Sequence, residues 1–289
     1  MRRTTTALTT ALLAACSSEP PREFITDAGS DATAVDVTAV DAPAVDAPGV
    51  SDRPAPADLP PLLDNVRVYA HTSQTLYAVN PSDLTVRRVG DFGWPADLRS
   101  HEMTDIAVNA DGWMWGITFN AIYRVNPVDA RCVYIADFDG ATFNGLSFIP
   151  GGELEPGEVL VAANRSGGYF RVDQRTGATR SLGQYGGGLG SSGDIVSVRG
   201  GGTFATVVQN EVEYLARLEP TTGAATILGP TGVARTWGLG YWRSQVYGFA
   251  ESGGFYTIDL TTGRATLVEN VGQPWWGAGV TTLAPTAPP

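Results

Sequence analysis

Lysine is absent from this 289-residue chain; all 19 basic residues are Arg. Thirty acidic residues outnumber them, and the formal net charge is −11. Phosphate backbones are held by basic faces, so this balance argues against nucleic acid as a partner. It argues equally against docking on an anionic membrane through charge. Cysteine is nearly absent as well. Cys16 and Cys132 are too few for a disulfide framework once either has another role. Cys132, in a strand-like context, reads as a small buried apolar residue. Histidine occurs twice, at His71 and His101, which leaves little for an imidazole-rich metal site. No convincing helical periodicity is found.

What is present changes sharply along the chain. Arg2 and Arg3 open it, and Thr4 to Ala15 is modestly apolar. That run is too short to cross a bilayer, which needs about 20 residues, so it reads as a secretory signal. It ends in Leu13-Ala14-Ala15-Cys16, followed by Ser17-Ser18. This resembles the lipobox of bacterial lipoproteins. The resemblance implies cleavage before Cys16, acylation of its thiol and attachment to the cell envelope. Ser17 after the cysteine favours the outer membrane by the same resemblance.

Residues 16–64 read as a disordered tether. The one aromatic there is Phe24, while Asp31, Asp36, Asp41 and Asp46 recur every five residues and prolines crowd the end. Ten acidic residues and two Arg fall within 17–64, against twenty and fifteen in 65–289. Such a composition buries too little apolar surface to offset chain entropy. A chain of this length spans on the order of 40 Å, enough to lift a domain off a bilayer.

Residues 65–289 repeat. The unit appears as Leu76-Tyr77-Ala78-Val79-Asn80, Ile122-Tyr123-Arg124-Val125-Asn126, Tyr169-Phe170-Arg171-Val172-Asp173, Leu215-Ala216-Arg217-Leu218-Glu219 and Phe255-Tyr256-Thr257-Ile258-Asp259. Turns follow, three of them ending in Gly177, Gly223 and Gly263, and then a second alternating strand. Two further strands precede each unit, the inner ones beginning at Thr104, Asn144, Asp194, Trp237 and Trp276. Four strands at a period near 45 residues predict propeller blades. The N-terminal part supplies three strands of one blade and Trp276 to Leu283 the fourth. The expected fold is therefore all-β: a five-bladed β-propeller closed by pairing the C-terminal strand with the N-terminal blade. The segments MTDIAV, NGLSF and LYAVNP resemble secreted quinoprotein-like or YVTN-like propeller repeats. That superfamily includes lactonases, dehydrogenases, lectins and assembly scaffolds, so the resemblance implies a fold and no single activity.

Ligands of such a ring sit where the loops between blades and those between second and third strands converge. The residues expected on that face are His71, His101, Glu102, Asn164, Arg165, Asp194, Trp237, Glu251 and Trp276. They differ from blade to blade, which favours one asymmetric site over a site per blade. No catalytic constellation, metal motif or cofactor signature emerges. Gly188 to Gly193 matches a dinucleotide fingerprint but lacks the strand–helix setting that motif needs. The reading is a lipid-anchored envelope protein presenting a non-catalytic binding or scaffold module, with an envelope protein or glycan as partner. The alternative is a propeller hydrolase or lactonase using His71, Asp194 or Glu251 at a central acidic or metal site.

Overall fold

A computed structural model describes residues 68–96 and 102–287. The signal segment, Cys16, the tether and His101 lie outside the described residues.

Five four-stranded antiparallel sheets form the blades of a propeller. Blade 1 holds β1 (Val68–His71), β2 (Thr75–Asn80), β3 (Thr85–Asp91) and, as its innermost strand, the C-terminal β20 (Gly277–Val280). Blade 2 runs β4 (Asp105–Val108), β5 (Met114–Ile117), β6 (Ala121–Val125), β7 (Cys132–Asp137). Blade 3 runs β8 (Gly145–Ile149), β9 (Val159–Ala163), β10 (Gly168–Val172), β11 (Thr179–Gln184). Blade 4 runs β12 (Gly190–Val198), β13 (Gly202–Gln209), β14 (Val212–Leu218), β15 (Ala225–Pro230). Blade 5 runs β16 (Thr236–Trp242), β17 (Gln245–Ala250), β18 (Gly254–Ile258), β19 (Ala265–Asn270). No helix occurs among the described residues.

The repeated unit has a physical reason in each part. Its apolar positions fill the cores between neighbouring blades; Val125, Val172, Leu218 and Ile258 are all buried. The amide or acid that follows makes the turn. Asp173 Oδ1 accepts from the backbone N–H of Arg175 at 2.9 Å and of Thr176 at 3.0 Å. Asp259 does the same with Thr261 and Thr262, while Asn80 and Asn126 each hold one amide this way. These are local Asx turns. Gly223 closes its turn at φ +73, and a Cβ there would stand 2.6 Å from the ring of Tyr169 in the preceding blade. A register shift recurs between third and fourth strands in all five blades.

The ring closes by the pairing of β20 with β1, from Val68 opposite Val280 to His71 opposite Gly277. Beyond β20 the chain crosses the far side of the ring. Thr281 Oγ1 donates to the Asn109 carbonyl, Thr282 O accepts from Arg199 N, and Pro285 O accepts from Arg243 N. Thr282 also donates to Glu158, which accepts the amide of Ala110. The terminal segment thus ties blades 2, 3, 4 and 5 together.

Candidate functional site

The five inner strands converge on the axis, and their sequences align as TDIAV, NGLSF, GDIVSV, WGLGY and WGAGV. The second position reads Asp105, Gly145, Asp194, Gly238 and Gly277. Asp105 accepts from Ile106 N at 2.8 Å in its own blade and from Leu146 N at 2.6 Å in the next. Asp194 repeats this with Ile195 N and Leu239 N, each at 2.6 Å. The Ala278 amide of blade 1 also acts on Asp194. One amide from every blade therefore points at one of two carboxyl groups.

Burial pushes both acids well above the usual carboxylate range, and the neighbouring charge of Asp194 pushes Asp105 further. Two adjacent carboxyls out of water cannot both ionise. More amides converge on Asp194, so the charge rests there and the shared proton on Asp105. His71 stands beside them, wholly buried, with Nε2 4.0 Å from Asp105 Oδ1. Its Nδ1 lies 2.9 Å from the Thr72 carbonyl and donates to it. Burial lowers its pKa to about 4, against which the Thr72 bond works. A neutral ring at 4.0 Å is not an ion pair. Gly277 makes room for this arrangement, because a Cβ there would meet His71 Nε2 at 2.3 Å and Asp105 Oδ1 at 2.6 Å.

One residue earlier in each inner strand lies a ring of different character: Thr104, Asn144, Gly193, Trp237 and Trp276. In blade 4 this member is Gly193, whereas the sequence reading starts that strand at Asp194; β12 bulges between Ser191 and Ile195, and Asp194 takes the axial place that Asp105 has in blade 2. With Phe119, Arg165 and Ser192, this ring lines an open mouth of about 60 Å³. Trp237 and Trp276 are half-buried and meet edge to face, 5.9 Å between centroids.

The face expected from the sequence is divided by depth. Trp237, Trp276 and Arg165 line the mouth. Asn164 braces the Arg165 loop by accepting from Gly168 N and Ser166 Oγ. Glu251 pairs with Arg235 at 2.5 Å at the surface. Glu102 is exposed. His71 and Asp194 lie beneath, fully buried. Trp94 and Trp275 pack between aromatic neighbours instead, Trp94 against Tyr123 and Trp275 against Tyr77 and Phe249. Asp105, Phe119 and Gly277 were not anticipated. The signal for Asp105 was present, since Asp-Ile recurs at the same strand position in blades 2 and 4.

No family model and no curated protein matches the chain. Similar solved structures include a protein of unknown function from Bacteroides caccae, 10% identical over 72% of this chain and 73% of that one, with a TM-score of 0.41. A protein from Lactobacillus plantarum is 15% identical over 73% and 70%, with a TM-score of 0.39. A Bacteroides uniformis protein provisionally assigned as a 6-phosphogluconolactonase is 13% identical over 73% and 72%, with a TM-score of 0.37.

Proposed function

We propose that this protein is an envelope lipoprotein, held through Cys16 and its acidic tether, whose propeller is a non-catalytic binding module for a ligand at the axial mouth. The observation that carries the binding reading is the separation of layers at the axis. The mouth is open and lined by aromatic and polar side chains. The acids beneath it are wholly buried, and each of their four carboxyl oxygens accepts a backbone amide. A general acid or nucleophile needs an oxygen within reach of substrate. These oxygens instead join the blades.

Two measurements test the proposal. Metabolic labelling with a radioactive fatty acid is expected to mark the full chain and to lose the mark in Cys16→Ser, which also leaves the membrane fraction. Unlabelled wild-type protein would remove the anchor. The purified chain, mixed with isolated cell-wall and outer-membrane fractions, is expected to co-sediment with one of them, and Trp237→Ala/Trp276→Ala to stay in the supernatant. Equal retention of wild type and variant, or no retention of either, would remove the mouth as a binding site.

A further inference from the structure

The polar groups of the mouth have a common orientation that restricts what it holds. Thr104 Oγ1 donates its proton inward to the Ile117 carbonyl at 3.0 Å. Ser192 Oγ donates to Glu213, which burial holds above the usual carboxylate range and which also accepts the amide of Thr236. Asn144 turns its amide nitrogen to Ser191, at 3.4 Å from both the carbonyl and Oγ. Its Oδ1 is buried without a partner among the described residues. All three therefore offer lone pairs and no proton, so a ligand must bring the donors. An unpartnered buried acceptor is costly, and a ligand hydroxyl would relieve it.

Above these acceptors stand aromatic faces: Trp237, Trp276, and Phe119, which is 36% exposed. Aromatic rings with acceptors also suit a cationic ligand. Arg165 decides against it. Its guanidinium stands 5.9 Å over the Phe119 ring, at the mouth, with no carboxylate in ion-pairing contact among the described residues. It repels a cation and offers a carboxylate two parallel N–H bonds. The mouth is small, about 60 Å³, so it seats one ring edge with its substituents and engulfs no chain.

We infer that the mouth recognises an acidic sugar. Its ring hydroxyls donate to Asn144, Thr104 and Ser192, its C–H face lies on the tryptophans, and its carboxylate meets Arg165. The inference rests on the binding reading above and narrows it to one ligand class, the uronic acids at the end of an envelope glycan.

The test is titration of the full chain with D-glucuronate, D-glucose and sodium acetate, read by tryptophan fluorescence and calorimetry. Glucuronate is expected to bind saturably with a Kd on the order of 1 mM, a typical weak-ligand range. Glucose is expected to bind roughly tenfold more weakly, and acetate to leave the signal unchanged. Arg165→Gln is expected to bring glucuronate down to the level of glucose, Trp276→Ala to abolish both, and Val133→Thr on an outer strand to alter neither. Thermal melts of each variant show that it is folded. Equal binding of glucose and glucuronate with no effect of Arg165→Gln would overturn the inference, as would acetate matching glucuronate. If all three probes are inert while envelope fractions still bind through the tryptophans, the sugar assignment fails and the binding module stands. If the fractions are inert too, both fail.

Discussion

At the scale of single residues, the axis makes two titratable groups pull in opposite directions. His71 has its pKa lowered from 6.5 to about 4 by burial. Below 6.5 the unfolded chain takes up a proton that the folded chain refuses, so stability falls as pH drops toward 4. The slope contributed is at most about 1.4 kcal/mol per pH unit. Asp105 is raised, so its contribution is present at low pH and is lost as pH rises through its folded value. Urea unfolding between pH 7 and 4 is expected to show the acid-side loss in wild type and a shallower slope in His71→Gln; identical slopes would mean that the imidazole takes up its proton in the folded chain as it does in the unfolded one. The acids should also differ from each other. An amide at Asp105 mimics the protonated form and sacrifices one backbone bond, a cost of about 1 kcal/mol. At Asp194 the charge that gathers several amides is removed, a cost of about 3 kcal/mol. Urea midpoints in which Asp105→Asn is the worse variant would reverse the assignment of the proton. The sequence displayed Asp194 as a candidate and left Asp105 unremarked for one reason. Three of the five equivalent positions are Gly, so the pair is hidden from any comparison that expects a repeat to repeat.

At the scale of elements, the hairpin glycine of three blades, Gly177, Gly223 or Gly263, serves both as a turn and as a contact with the preceding blade, whereas Gly140, in the loop after β7, serves as a turn alone. Gly140 and Gly223 both sit at positive φ, +69 and +73. A Cβ on Gly140 would meet nothing within 4 Å, whereas one on Gly223 would strike Tyr169. Gly140→Ala is thus expected to cost about 1 kcal/mol, from backbone strain alone. Gly223→Ala is expected to cost about 1–3 kcal/mol more, from overpacking. Chemical denaturation of the two variants side by side checks this; equal losses would remove the inter-blade contact as a source of stability. Turn chemistry and strand alternation are local, which is why blade number, strand order and closure were legible in the sequence. The side a strand residue faces was less so. Trp275 and Trp276 are adjacent, and alternation sends one into the core and the other to the mouth. Nothing in the pair itself says which. The start of β12 was equally hard to read, because the strand bulges by two residues against β13 between Ser191 and Ile195, and counting from the other blades then misplaces Asp194.

For the whole molecule, closure depends on residues at opposite ends of the domain. Removing residues 277–289 takes away the inner strand of blade 1 and the segment that ties four other blades beneath the axis. It leaves β1 with an exposed edge, a template for pairing with another chain. The truncated chain is expected to lose its cooperative melt and to elute as oligomers in size-exclusion chromatography; a monomer with the wild-type melting temperature would show that the seam is dispensable. The two carboxyls at the hub carry a lesson about symmetry. Five acids there would crowd their charges at one point, and five glycines would leave five amide dipoles converging on nothing. Two acids among three glycines avoid both, so the centre of this ring is asymmetric for an electrostatic reason. A consensus sequence averaged over its blades would erase the two departures from symmetry on which that centre depends.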